Sequence, residues 1–227
     1  MATVTVSNGS GLIAYYPFNG NANDESGDGF NATVNGAQLT TDRSNTINSA
    51  YYFNGSNAGI SAKVDTRLSI TQFTLCAWIK ASTYTTYLPR IVAVGAPGIS
   101  THYYSMLFAN GTWNDMLDTT RRLMFYNGNT LDPFNYTQYY SRGSLDTVSW
   151  HHGAISFDGS HLKFYIDGAL DEDTIISATI QQYSDSARLQ IGYSEGGDRY
   201  EGKLDQIRIY NRPLTATEIN ALYTGGN

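Results

Sequence analysis

The 227-residue chain is long enough for one large domain or two small ones, and its 41% of hydrophobic residues can fill a sizeable core. Only 15% of the residues are charged, the net charge is −6, and the 14 Lys and Arg residues are scattered. This balance argues against nucleic acid as a partner and against docking or insertion into a membrane. Asn, Gly, Ser, Thr and 18 Tyr stand in place of the long helix formers, so the composition predicts an all-β fold.

The cysteine content and the apolar pattern bear on where the protein works. Cys76 is the only cysteine, so no internal disulfide can form, which favours a bacterial exported protein or an intracellular one over a secreted eukaryotic one. No signal peptide is evident, and no apolar run reaches the length of a transmembrane helix. We expect residues 1–10 to be a linker or a strand that precedes the domain. Residues 11–227 are expected to form one domain of a longer secreted or surface protein.

The first half of the chain contains three clear strand signals. Residues 12–18 are apolar and aromatic and end at an Asn-Gly turn, and residues 50–53 form a second short run of the same kind. Residues 73–80 alternate with the two-residue period of a strand. The expected core face of this strand carries Phe73, Leu75, Ala77 and Ile79. Trp78 and Trp150, which also lie in strand-like patterns, are expected in the core.

The second half of the chain contains the best hairpin. Residues 150–157 and 161–166 are rich in strand formers and flank Asp158-Gly159-Ser160, where glycine can adopt the positive φ of a tight turn. A second turn is predicted at Asp167-Gly168, and further strands over 187–193 and 203–210.

Only the last segment of the chain has a helical pattern. Thr215 and Glu218 have the spacing of a capping box, Ile219 and Leu222 form an apolar stripe, and two glycines follow at 225–226. The sequence therefore predicts one short C-terminal helix.

Long aromatic-rich segments separate these predicted strands. They span roughly residues 82–122, 126–147 and 193–201, and we expect them to be loops. Loops of this length in a compact domain are usually functional or disordered, and the aromatic content argues against disorder.

Five stretches carry a resemblance to a known family. They are residues 12–31, 50–55 (AYYFNG), 73–80 (FTLCAWIK), 150–168 and 200–223 (YEGKLDQIRIYNRPLTATEINALY). In this order they are similar to the bacterial laminin-G-like, pentraxin-like domains of the concanavalin A-like lectin/glucanase superfamily. The resemblance implies a two-sheet antiparallel β-sandwich, the jelly roll. It also implies a module of a secreted or cell-surface protein that often binds carbohydrate and often holds a structural calcium ion.

An acidic loop at residues 24–31 is the candidate metal site. It supplies three acidic side chains and several turn carbonyls, and calcium binds six to eight such oxygens. The alternative is a solvated turn in which Asp24 caps backbone amides. The resemblance implies that this loop meets Asp205, a carboxylate that needs a partner if its strand is buried. We therefore predict a structural Ca²⁺ ion, whose side-chain ligands are Asp24, Ser26, Asn31 and Asp205.

The aromatic-rich segments are the candidate ligand site. Sugars stack their C–H faces on aromatic rings and hydrogen-bond through their hydroxyls to amides and charged groups. The alternative is that about half of the tyrosines simply pack the sandwich. The predicted ligand-binding residues are Tyr84, Tyr87, His102, Tyr103, Tyr104, Trp113, Asn114, Asp115, Tyr139, Tyr140 and Arg142.

Catalytic patterns are missing from the sequence. The paired acids of jelly-roll glucanases do not occur, nor does a Gly-x-Ser-x-Gly elbow. The acidic run at residues 171–173 is interpreted as a solvated connection. His151 and His152 are neighbours on a strand and point to opposite faces, so they do not readily bind one ion together. We predict no catalytic residues and a non-enzymatic extracellular module for carbohydrate binding or adhesion, which binds a glycan or polysaccharide through the aromatic-rich loops. The alternatives are a spacer or protein-interaction domain that contacts neighbouring domains of the same chain, and a polysaccharide-active enzyme.

Overall fold

A computed structural model describes residues 11–82, 88–95, 102–109, 121–128, 136–177, 179–180, 187–195 and 197–225. The strands in these ranges are β1 (Leu12–Tyr16), β2 (Thr33–Asn35), β3 (Gln38–Thr40), β4 (Ala50–Asn54), β5 (Gly59–Lys63), β6 (Phe73–Ala81), β7 (Arg90–Gly95), β8 (His102–Ala109), β9 (Arg122–Gly128), β10 (Tyr136–Ser144), β11 (His151–Phe157), β12 (His161–Ile166), β13 (Ala169–Ile175), β14 (Arg188–Ile191) and β15 (Glu201–Tyr210). A 3₁₀ turn spans Thr66–Leu68, and helix α1 spans Ala216–Tyr223.

The strands form two antiparallel sheets. The first sheet has the order β13-β12-β11-β6-β15-β4-β3, and β1 also pairs with β15. The second sheet has the order β10-β9-β8-β7-β14-β5-β2. The predicted all-β fold, a two-sheet antiparallel sandwich with one short C-terminal helix, is therefore confirmed.

The core lies between the two sheets and is held by aromatic contacts across them. Phe73 of β6 is fully buried, and its ring packs 5.8 Å from Tyr104 of β8 and 5.2 Å from Phe125 of β9, measured between ring centroids. Phe157 joins the same cluster from the first sheet, with its ring centroid 5.7 Å from that of Phe73. Large aromatic rings bury much apolar area in such contacts, and they hold the two sheets together. The predicted core face of β6 is correct.

A bulge in β15 turns two charged side chains to the same side of the first sheet. Asp205 pairs with Trp78 of β6, and Arg208 pairs with Cys76, so β15 has one residue more than its partner across this stretch. The extra residue is accommodated at Gln206, whose φ is +47°. β15 also changes its partner on the other side here, from β4 before the bulge to β1 after it. Both Asp205 and Arg208 therefore face away from the core, like the β6 residues opposite them.

Helix α1 covers part of this outer face. Thr215 begins it with the predicted capping box, in which its hydroxyl accepts from the Glu218 backbone N–H while Glu218 binds the Thr215 N–H. Ile219 and Leu222 are the buried stripe of the helix. They pack on side chains of the first sheet that face outward, among them Cys76, Ala154, Tyr165 and Tyr210.

Four strands occupy segments that the sequence predicts as loops. β7 and β8 lie within residues 82–122, β10 lies within 126–147, and the two ends of β9 overlap both segments. β7 has a nearly continuous apolar sequence because it is buried on both sides, so it lacks the alternation that marks a strand with one solvent-facing side. The acidic run at 171–173 is also not a free connection, since it belongs to the edge strand β13.

Candidate functional site

A row of polar side chains crosses the outer face of the second sheet. The strand register places six residues side by side on β5, β14, β7, β8, β9 and β10, and their chain neighbours enter the core. Alternation therefore turns the row outward. The row consists of Ser61, Gln190, Ala93, Ser105, Tyr126 and Gln138. We call it the polar row.

A buried arginine fixes the centre of this row. Arg90 is only 3% exposed, and its Nη1 donates to Ser105 Oγ at 2.7 Å. Its Nε donates to Asp198 Oδ2 at 3.2 Å, and the guanidinium lies 4.8 Å from the ring centroid of Tyr126. Burial lowers the pKa of Arg90, and the neighbouring carboxylate of Asp198 opposes this shift. A charge-assisted network of this kind holds its members in fixed positions.

Gln190 contributes a buried hydrogen-bond donor to the polar row. Its Oε1 accepts from the Glu195 backbone N–H at 3.2 Å, which sets the orientation of the amide. Among the residues that the structure describes, its Nε2 has no hydrogen-bond partner, although the side chain is fully buried. An unpaired buried donor costs free energy unless a ligand or an ordered water accepts from it.

Tyr140 brings an aromatic ring to the same face. Its hydroxyl donates to Gln138 Oε1 at 2.7 Å, and the guanidinium of Arg122 lies 5.0 Å from its ring centroid. The ring is half-buried and packs on a small apolar cluster that includes Met124 and Tyr126. The outer face of the second sheet thus combines hydroxyls, amides, cations and aromatic rings.

The structure places the predicted ligand-binding residues in different locations. Tyr140 lies on the outer face as expected. Tyr104 does not, because its side chain is buried between the sheets and its hydroxyl donates to the carbonyl of Leu68 at 2.8 Å. Tyr139 packs against the core, and Arg142 is exposed at the sheet edge in a salt bridge with Glu172.

Seven of the predicted ligand-binding residues are described only in part or not at all. The backbones of His102 and Tyr103 lie in β8. The remaining five lie outside the described residues: Tyr84, Tyr87, Trp113, Asn114 and Asp115.

Arg90, Ser105 and Gln190 were not predicted from the sequence. Their signal is that each is a polar residue flanked by apolar neighbours in a short run, which is the pattern of an outward position on a strand.

Asp24 serves the backbone of its own loop. Its Oδ1 accepts from the backbone N–H groups of Tyr15 and Ser26, and its Oδ2 accepts from that of Phe30, each at 2.9 Å. Asn31 Oδ1 accepts from the Asp24 N–H at 3.0 Å, and Ser26 Oγ accepts from the Asp28 N–H at 3.2 Å. These bonds match the alternative in which Asp24 caps backbone amides.

Asp205 has Arg43 as its partner. The carboxylate is 2% exposed, and Arg43 Nη1 lies 3.1 Å from its Oδ2. The guanidinium of Arg43 also lies 4.3 Å from the ring centroid of Trp78. In the described ranges no group of three or more His, Cys, Asp or Glu residues is placed to hold a metal ion. The positive guanidinium of Arg43 beside Asp205 and the Asp24 oxygens that already accept from backbone amides fit a bound Ca²⁺ ion poorly. The Ca²⁺ ion remains a prediction from the sequence.

Asp205 belongs to a second row, on the outer face of the first sheet. His152 pairs with Trp78, and Trp78 pairs with Asp205, across β11, β6 and β15. Tyr223 of α1 stacks on Trp78 with 5.6 Å between ring centroids. Four polar atoms of the row have no hydrogen-bond partner within the described ranges of the chain: Trp78 Nε1, both ring nitrogens of His152 and Asp205 Oδ1.

Burial shifts the pKa values of the two titratable groups of this row, His152 and Asp205, so that the neutral form of each is favoured. It lowers the pKa of His152 to about 3, helped by the positive charges of Arg208 and Arg43. It raises the pKa of Asp205 to about 7, although Arg43 opposes the shift. Near pH 5 the folded protein therefore holds a neutral imidazole and a neutral carboxyl group here.

Comparison with known proteins now identifies the family. A family model of the laminin-G type, described as the concanavalin A-like lectin/glucanases superfamily, matches residues 54–220. The chain belongs to the concanavalin A-like lectin/glucanase superfamily. This confirms the resemblance drawn from the five stretches. No curated protein sequence matches the chain.

Solved structures with the same superfamily fold include binding domains of larger proteins. Domain 4 of AbnA, an extracellular family GH43 arabinanase from Geobacillus stearothermophilus solved in complex with arabinotriose, is 22% identical, with a TM-score of 0.70. The alignment covers 94% of this chain and 98% of that domain.

Two toxin domains are also similar in fold. The binding domain of Paraclostridial Mosquitocidal Protein 1 is 17% identical, with a TM-score of 0.65 over 94% of this chain. The botulinum neurotoxin serotype G binding domain is 18% identical, with a TM-score of 0.66 over 94% of this chain. The chain spans about half of each toxin domain, 52% and 50%. Within the described part of the chain, no helix has the length and apolar character needed to cross a membrane.

The capping role of Asp24 leads to a test that also decides the calcium prediction. Asp24→Asn keeps one acceptor oxygen and places an N–H₂ group against at least one backbone donor. We expect the free energy of unfolding to fall by about 1–3 kcal/mol. If the loop needs only the cap, a chelator leaves the melting temperature of the wild type unchanged. A chelator that lowers the melting temperature of the wild type but not of the variant would instead establish a bound ion at Asp24.

The row on the first sheet predicts opposite pH effects for two substitutions. The unfolded chain binds more protons at His152 between pH 3 and 6.5, so this residue makes stability rise with pH there. The folded chain binds more protons at Asp205 between about pH 4 and 7, so this residue makes stability fall as pH rises. Each slope approaches 1.4 kcal/mol per pH unit, and the two oppose one another in the wild type.

Urea unfolding between pH 4 and 6.5 measures this balance. Relative to the wild type, His152→Gln is expected to lose stability as pH rises, and Asp205→Asn is expected to gain it. If the free energy of unfolding of both variants changes with pH in parallel with the wild type, then His152 and Asp205 do not titrate as described.

Proposed function

We propose that this domain is a non-catalytic carbohydrate-binding module of an extracellular or cell-surface protein, and that it binds glycan on the outer face of its second sheet. The observation that carries the proposal is the polar row with its unpaired Gln190 N–H. Ser105, Gln190 and Arg90 are buried, and buried polar groups normally have hydrogen-bond partners, so a donor left unpaired there is suited to a ligand. The ion pair of Arg90 with Asp198 holds the Ser105 hydroxyl of the same row in a fixed position.

The chemistry of the polar row suits sugars. Hydroxyl groups of a sugar both donate and accept, so they pair with amides and with charged groups that are already oriented. The C–H face of a sugar ring packs on aromatic side chains, and Tyr140 presents a half-buried ring beside Gln138. Arg90 and Asp198 keep the neighbouring groups in place and reduce the ordering that binding requires.

Several observations support a non-catalytic role. Glu172 is engaged by Arg142, and Asp167 by His151, whose Nδ1 lies 2.9 Å from the carboxylate. Carboxylates held in this way are poor candidates for the acid and base of a glycosidase. Cys76 is buried, and burial raises the pKa of its thiol to about 12, so it is no nucleophile at neutral pH.

The solved structures of similar fold support a binding role for this domain. Domain 4 of the arabinanase AbnA was solved with arabinotriose and belongs to an extracellular enzyme. Its similarity to this chain shows a shared fold, and it supports both the glycan ligand and the extracellular location of the proposal. A second candidate is a spacer or protein-interaction domain. It is favoured by the two toxin domains of the same fold, which are the binding domains of a mosquitocidal protein and of botulinum neurotoxin serotype G.

Removal of the Tyr140 ring tests the proposed face. Tyr140→Ala is expected to weaken binding to a retained neutral polysaccharide by about tenfold, because a stacking surface is lost. Tyr52→Ala is the matched control, since Tyr52 is a half-buried tyrosine on the outer face of the first sheet. Affinity electrophoresis through gels that contain arabinan, xylan or β-glucan measures both variants.

Equal weakening by the two variants would place the ligand elsewhere. A folded wild-type protein that no polysaccharide retards, and that shows no binding on a broad glycan array, would favour the protein-interaction candidate.

A further inference from the structure

Two cations lie opposite each other on the outer face of the second sheet. Arg188 of β14 pairs in register with Lys63 of β5. Their chain neighbours Leu189 and Ala62 enter the core, so both charged side chains face outward, and both are exposed. Like charges directly opposite each other on neighbouring strands destabilise a sheet. In the described part of the chain, neither side chain forms a hydrogen bond or a salt bridge.

This pair adjoins the polar row. The next outward positions on the same two strands are Ser61 and Gln190, whose Nε2 has no partner. Lys63 and Arg188 thus present exposed donors beside the buried Nε2 of Gln190, whose own acceptor Oε1 is already used by the Glu195 backbone N–H. Donors of this kind, two of them charged, match a ligand that brings an anion.

A cleft extends from the pair on the β5 side. It has a volume of about 390 Å³ and is lined by Gly29, Phe30, Lys63, Val64, Asp65 and Arg67. Within it, Arg67 is held by Asp65 and Asp28, and its guanidinium covers the ring of Phe30 at 4.4 Å from the centroid. Arg67 binds both of these carboxylates, whereas Lys63 forms no salt bridge within the described part of the chain. The volume lies within the range of small ligand sites, roughly 300–1,000 Å³.

We propose that Lys63 and Arg188 form a subsite for a negatively charged sugar residue, so that the preferred ligand of the module is an acidic glycan. This inference rests on the proposed function and names the class of its ligand. The planar fork of Arg188 fits a carboxylate or a sulfate group through two parallel hydrogen bonds, and Lys63 adds a second positive charge. The repulsion between the two cations disappears when an anion binds between them. The chain as a whole has a net charge of −6, so general attraction to a polyanion would not explain such binding.

Matched polysaccharides test the ligand class. Polygalacturonate and its fully methyl-esterified form share one backbone and differ in charge, and dextran sulfate and dextran do the same for sulfate. We expect the protein to be retained by polygalacturonate, by dextran sulfate or by both, and at least tenfold less by the uncharged form of the same polymer. The pair that shows the difference identifies the anion. Retention is expected to weaken as salt concentration rises.

Substitutions locate the subsite. Lys63→Gln and Arg188→Gln are each expected to weaken binding to the retained polyanion about tenfold, and Arg188→Lys less than Arg188→Gln. Neither Gln variant should lower the melting temperature, because each removes a repulsive pair. Lys80→Gln is the matched control, since Lys80 faces Lys203 in the same way on the outer face of the first sheet. It is expected to leave binding unchanged.

The outcomes separate this inference from the proposed function. Equal binding of charged and uncharged polymers, or loss of binding in Lys80→Gln as large as in Lys63→Gln, overturns the anionic subsite while glycan binding stands. A protein that binds no polymer of either kind, and no glycan on an array, overturns both.

Discussion

Alternation along the strands is the constraint on which the two faces of this domain depend. Each sheet gives every second side chain to the shared core, where Phe73, Tyr104 and Phe125 join the sheets. The remaining side chains must face outward, in rows that cross several strands at right angles. A residue's place in its strand therefore decides whether it packs or is available to a ligand, and one extra residue, as at Gln206, changes that assignment for the rest of the strand.

The two outer faces differ in what surrounds their polar side chains. On the first sheet, α1 and Arg43 cover the row that contains His152, Trp78 and Asp205, and burial removes the charge of its histidine near neutral pH. That row contributes to stability and to its pH dependence. On the second sheet, Arg90 holds the centre of the polar row, while Lys63 and Arg188 stay exposed. The exposed cations Lys63 and Arg188 lie there beside the unpaired Gln190 Nε2, which is why binding is proposed on that face.

Much of the fold could be predicted from the sequence, because short local sequence patterns determine it. The Asp167-Gly168 turn, the capping box at Thr215 and the alternation of β6 all act over a few residues. The candidate binding and metal sites were harder to predict from the sequence. Tyr104 looks like any other tyrosine of its segment, and only the register with Phe73 across the core shows that it is buried. Asp205 was expected to need a partner, but Arg43 lies 162 positions away in the sequence, so its identity depends on the assembled sheet.

The central claim is that ligand binds on the outer face of the second sheet. The most direct measurement is an NMR titration of the ¹⁵N-labelled protein with an arabinan oligosaccharide and, separately, with a galacturonate oligosaccharide. We predict that the largest shift changes of backbone amides fall on the strands of the second sheet from β5 to β10, around Lys63, Arg188, Gln190, Ser105 and Tyr140. Shift changes confined to the row of His152, Trp78 and Asp205 on the first sheet would contradict the account.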